Sequence, residues 1–164
     1  MSIQYRSGKW CVHKGQYGAL QLSVIPATWE KPDSNGISYP DKDGAVLIEM
    51  AGKDKEVNGV WTYKWGEKIS FAIGMNDIHQ ILDKYYIGGP IKCFHQSSDT
   101  LSKTFSLQPG EGKYEGTWRV SLTSVDKKPD GKTFSIFTSF TAGEAVVFIE
   151  LLKRSVPVIL GLQL

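Results

Sequence analysis

The sequence predicts an α+β domain of antiparallel strands, in the order of roughly four strands and a helix, twice over. Apolar residues alternate with polar ones at a period of two through most of the chain, which is the signature of strands with one buried face. A helical period is confined to two stretches, one ending near Tyr86 and one following Thr141. Strand follows strand across short turn sequences, PGEGKYEG and DKKPDG among them, whereas parallel strands would each need a long crossover.

Lys9–Lys14 and Ala19–Ile25 read as a hairpin around the turn at Gly15 to Gly18, with Leu20, Leu22 and Val24 facing the core. Residues 26–43 hold Pro26, Pro32, Gly36 and Pro40 without periodicity and read as a long loop, a kind of segment that is often functional. Ala45–Met50 is the third strand, and the charged residues 52–58 connect it to an aromatic strand in which Trp61, Tyr63 and Trp65 share one face. Ile69, Phe71 and Ile73 continue the period of two. Asn76 is placed to cap a helix whose Ile78, Ile81, Leu82 and Tyr85 form one apolar stripe. Gly88, Gly89 and Pro90 stop that helix. Ile91–Gln96, Lys103–Gln108, Gly116–Val125 and Lys132–Phe140 are the later strands, and Thr141 with Glu144 forms a capping box that opens the last helix.

A chain of 164 residues that is 41% hydrophobic suits one core, so a single domain over 1–164 is expected. A net charge of +2 does not by itself announce a polyanion partner. Cys11 and Cys93, distant in sequence, read as buried thiols, with a disulfide as the other option. No stretch has the length and apolarity of a membrane span or the layout of a secretion signal, so a protein of a reducing compartment is expected. His13, His79 and His95 lack metal-ligand spacing, the glycine-rich turns depart from the phosphate-binding loop pattern, and no nucleophile elbow or dinucleotide fingerprint occurs. A non-enzymatic protein without metal or cofactor is expected.

The segments KGQYGAL (Lys14–Leu20), DGAVLIEMA, YKWGEKISFAIGMNDI (Tyr63–Ile78), CFHQ, KTFSLQP and TAGEAVVFIELLKRSVPVILG resemble, in order and across nearly the whole chain, the successive blocks of the Whirly single-stranded DNA-binding family. That resemblance implies two antiparallel four-stranded sheets packed crosswise, helices at the centre of a homo-oligomer with a tetramer favoured over a dimer, and binding of single-stranded DNA with little sequence preference. It also implies a role in replication, recombination or repair. An RNA-annealing factor of the same superfamily and a non-catalytic protein-interaction module are the alternatives. The first block departs from the family pattern in its inserted Tyr17 and in Gln16 at the second lysine, and Lys64 stands where plant members commonly carry an acid. With no organelle-targeting leader evident, a cytoplasmic bacterial or viral protein is expected.

Single-strand binders need cations for phosphates, rings on which bases stack, and polar groups that tolerate any base. Lys14, Lys64, Lys68, Lys92, Lys103 and Arg119 are the candidate phosphate contacts, interspersed with outward-facing Ser and Thr such as Thr104, Ser106, Ser121 and Thr123. Such faces also suit an ordinary solvated sheet. Tyr17 and Trp29, in turn or loop positions, are the candidate stacking rings. Trp65 and Phe94 are further candidates, although rings on strands also serve as core. In the last helix, residues 145–149 are all apolar, and successive positions 100° apart cannot all face one neighbour. Phe148 and Leu152 are therefore assigned to an oligomer interface.

Overall fold

The computed structural model describes residues 10–162, with side chains from residue 13 onward. Its strands are β1 (Trp10–Lys14), β2 (Gly18–Ile25), β3 (Thr28–Trp29), β4 (Pro40–Lys42), β5 (Ala45–Val57), β6 (Val60–Tyr63), β7 (Ile69–Ile73), β8 (Ile91–Gln96), β9 (Leu101–Pro109), β10 (Thr117–Asp126) and β11 (Thr133–Thr141). Helix α1 spans Met75–Tyr86 and α2 spans Ala142–Ile159. The expected α+β class and antiparallel pairing are what the chain adopts.

The first sheet runs β1-β2-β5-β6, with β7 also paired to β5, so it has five strands where four were expected. The reason is the length of β5, whose first half pairs with β2 and β7 while its second half pairs with β6. Residues 52–58, expected to be a connection, thus continue the strand into a hairpin closed by Asn58 and Gly59. Both have positive φ, 51° and 75°, the conformation a two-residue hairpin turn requires. The expected loop at 26–43 contains the small β3-β4 pair, tied to the end of α2 by hydrogen bonds from the Ala27 and Gly44 amides to the Val158 and Ile159 carbonyls.

The second sheet runs β11-β10-β9-β8. Register places Cys93, Phe105, Leu122 and Ile136 in one inward row and Ile91, Leu107, Val120 and Thr138 in the next. These meet Leu20, Ile48, Met50 and Phe71 of the first sheet and Ile78 and Ile81 of α1 in one continuous core. α1 starts at Met75, two residues earlier than an Asn76 cap would allow. Gly74 is its N-cap, and its amide donates to the Asp77 carboxylate at 3.0 Å. Asp77 also holds His95 at 3.0 Å, and His95 stacks on Phe71. Burial pushes the neighbouring Cys93 thiol up to about 12, and the Asp77 charge adds to the shift, so this free thiol stays protonated. The side chain of Cys11 lies outside the described residues.

The two sheets approach each other closely where β2 begins, against the edge strand β11. A Cβ added at Gly18 would sit 2.8 Å from the Phe137 carbonyl oxygen of β11 and 3.1 Å from that of Ala51. Only a residue without a side chain lets the backbones approach this closely.

Helix α2 opens at Thr141 as expected, with the Glu144 carboxylate accepting from the Thr141 amide at 2.8 Å and the Thr141 hydroxyl accepting in return. It contains Pro157 and runs on to Ile159. Phe148 and Leu152 are fully covered within the single chain, with the Phe148 ring 6.0 Å from Phe105 and 5.8 Å from Phe140. This corrects their assignment to an interface, because side chains already enclosed by their own sheets offer no surface to a partner. The apolar residues left uncovered are Val146 and Val147. Among the described residues, no helix is long and apolar enough to cross a membrane.

Phe148→Ala should cost about 3–5 kcal/mol of stability by urea denaturation, since it opens a cavity beside the Phe105 and Phe140 rings. Glu144 provides a pH test. Burial raises its carboxyl, but the Thr141 amide, the His13 ring and the Thr141 side chain outweigh that and hold it below its ordinary value. A depressed carboxyl stabilises the fold above the unfolded-state pKa and loses that contribution as pH falls through the folded-state value. Glu144→Gln should therefore be less stable than the parent at neutral pH, with the gap closing on the acid side of denaturation midpoints measured against pH.

Candidate nucleic-acid interface

The outward face of the second sheet follows from the register that builds its inward face. Lys92, Ser106, Ser121 and Phe137 align across the four strands, and so do Phe94, Thr104, Thr123 and Ser135. The next row toward the β9-β10 turn holds Gln108, Arg119 and Ser139. The floor is thus hydroxyl-rich, with a cation in two rows and a ring at each edge. Thr123 and Ser135 hydroxyls lie 3.0 Å apart and satisfy one another.

Phe137, on the edge strand β11, gathers the main ring and cation contacts of this face. The Arg119 guanidinium lies 4.4 Å from the centroid of its ring, and the Tyr17 ring stacks on it at 5.1 Å with an interplanar angle of 28°. Tyr17 comes from the other sheet. It is carried there by the β1-β2 turn, closed by a bond from the Gly15 amide to the Gly18 carbonyl and braced by the Tyr63 hydroxyl donating to Gly15. Tyr17, Arg119 and Phe137 line a cavity of about 710 Å³ together with Pro90, Gln108, Glu111, Tyr114 and Ser139. That volume lies within the roughly 300–1,000 Å³ of sites that enclose small ligands. A smaller cavity of about 210 Å³, lined by Lys53, Lys64, Phe134 and Phe137, shares Tyr17 and Phe137 with the first. Lys53 is held over the Trp61 ring, 3.2 Å from its centroid.

The sequence-derived candidates separate into three groups. Tyr17 and Arg119 line the large cavity, Lys64 the small one, and Lys92 and Phe94 stand on the same outward face, with Phe94 57% exposed. Lys14 is exposed at the end of β1, beside the turn that carries Tyr17. The others are engaged elsewhere. Lys68 forms an ion pair with the buried Glu49, which also accepts from Gln21 at 2.6 Å. Lys103 falls in the inward row with His95 and donates to the Ser70 carbonyl at 2.9 Å, bridging the sheets. Trp65 lies half-buried in a single 3-10 turn after β6, not on the strand. Trp29 rests its indole on the backbone of Gly161, and β2, eight residues or ~23 Å of extended chain, separates its end of the sheet from Tyr17.

Phe137, Gln108, Tyr114 and Lys53 were not among the candidates. For Phe137 a signal existed: in Phe134-Ser135-Ile136-Phe137-Thr138 it is a large ring on the otherwise polar phase of a strand. Phe94 breaks phase in the same way between Cys93 and His95, and is exposed where a strand ring could have been core.

No curated protein matches the chain in sequence. Three solved plant structures share its fold. WHY1 from Arabidopsis thaliana superposes with a TM-score of 0.78 at 19% identity, covering 96% of this chain and 87% of that one. WHY3 from the same plant gives 0.79 at 18%, covering 99% and 92%. The plant transcriptional regulator PBF-2 gives 0.79 at 19%, covering 96% and 92%. The expectation of a bacterial or viral protein thus finds no support among these neighbours. The model of the Whirly transcription factor family matches residues 12–151, nearly the full described length, and the chain belongs to that family.

Proposed function

We propose that this protein binds single-stranded DNA with little sequence preference, along the outward face of the second sheet and into the cleft where the two sheets meet. The observation that carries this reading is the Tyr17-Phe137-Arg119 stack on the wall of an open cavity. Rings and a guanidinium plane in series offer any unpaired base a stacking partner, and a duplex keeps its bases stacked on each other instead. Lys92, Arg119, Lys53 and Lys64 supply charge for phosphates on either side of the stack, while the Ser and Thr rows accept or donate to whichever base edge passes. Membership of a transcription factor family fits a nucleic-acid ligand. We assign the protein a stoichiometric, non-catalytic role on exposed strands in replication, recombination or repair, inside a reducing compartment where the Cys93 thiol persists.

Homo-oligomerisation belongs to the same proposal. Val146 and Val147 are 49% and 54% exposed on α2, directly beside the buried Phe148, an apolar strip that a second copy of the helix would cover. A tetramer would set several clefts in series and raise avidity for long strands.

Titration of a labelled oligothymidine, with duplex as competitor, should show the single strand winning and affinity falling as salt rises. Equal affinity for duplex would rule the reading out, and tighter binding of oligouridine would transfer it to RNA. Phe137→Ala should weaken binding by about 1–3 kcal/mol, whereas Trp29→Ala should cost stability and leave binding as it was. Val147→Asp should lower the mass seen by light scattering while the fold persists. An unchanged mass would remove this strip as the interface.

A further inference from the structure

The large cavity holds a charge that a phosphate track has no use for. Glu111, in the connection between β9 and β10, lines it together with Arg119, and among the described residues the two are not paired with each other. A carboxylate facing a polyanion is repulsive unless it meets a donor, so its place on this wall suits a ligand group that brings hydrogens. Arg119 calls for the complement. Its guanidinium lies 4.4 Å from the Phe137 ring centroid and presents a fork of donors suited to two adjacent acceptors.

Among the bases, guanine answers both. Its O6 and N7 present paired acceptors, which Arg takes bidentately, and its N1–H and N2–H present paired donors that match a carboxylate. Adenine sets an amino group beside N7 and would bring donors against the guanidinium, and thymine has one donor only. Tyr17, Phe137 and Tyr114 line the same cavity and provide the apolar faces that a flat purine needs. Gln108, adjacent to Arg119 in the register, can serve either edge.

Resting on the single-strand reading above, we propose that this cavity is a guanine-preferring subsite within an otherwise sequence-tolerant track, with Arg119 and Glu111 as the specificity-determining residues. The test compares oligothymidine with the same strand carrying one central dG, dA or dC. The dG strand should bind about tenfold more tightly than the other three. Replacing that base by hypoxanthine, which lacks the N2 amino group, or by 7-deazaguanine, which lacks N7, should each remove part of the gain. In Glu111→Gln the ratio of dG to dA affinity should fall toward one, whatever happens to oligothymidine itself, with circular dichroism confirming the fold. Equal affinity for the dG and dA strands would overturn the subsite and leave the proposed function standing. Failure to bind any of the strands would overturn both. Free dGMP competing as well as the dG strand would overturn a strand-borne ligand in favour of a nucleotide pocket.

Discussion

The close approach of β2 to β11 at Gly18 is the constraint from which the functional face follows. The start of β2 and the edge strand β11 meet backbone to backbone, with the Phe137 carbonyl where a side chain on residue 18 would be. Tyr17 immediately precedes that contact. Its ring is thereby delivered across the seam onto Phe137, and the two rings together line both cavities. A bulkier residue at position 18 would push the sheets apart and separate the ring of one from the cation and ring of the other. Core packing and ligand geometry are in this respect the same problem.

Helix α2 illustrates how one element serves two surfaces. Five consecutive apolar residues exceed what a single contact can use, and the fold resolves the excess by angle: Ala145, Phe148 and Ile149 turn into the sheets, while Val146 and Val147 turn away. The excess is real, and its outward members are Val146 and Val147 rather than Phe148. Nothing in a periodic pattern states which side of a helix faces its own sheets when both sides are apolar.

Much of the fold was legible because alternation and capping are local. The Thr141-Glu144 box, the strand phases of the second sheet and the glycine stop after α1 could all be read from neighbouring residues. The extended β5-β6 arm was legible too, since Asn58-Gly59 between Val57 and Val60 is a strong two-residue turn signal, but the charges around it obscured the strand. The site was less legible. Whether Lys103 reaches solvent or the Ser70 carbonyl, and whether Trp29 awaits a base or rests on Gly161, depends on segments far apart in sequence. Phe137 and Phe94 were the exceptions, because a ring out of phase with its own strand's buried face must point to the other side.

The central claim is that bases stack on the outward face of the second sheet, with a ring from the first sheet completing the groove. Photocross-linking with an oligothymidine carrying 5-iododeoxyuridine, followed by mass spectrometric mapping of the adducts, addresses it directly. The account predicts adducts at Tyr17, Tyr114, Phe137 and Phe94. Adducts confined to Trp29 and the β3-β4 pair, with the second sheet unmodified, would contradict it.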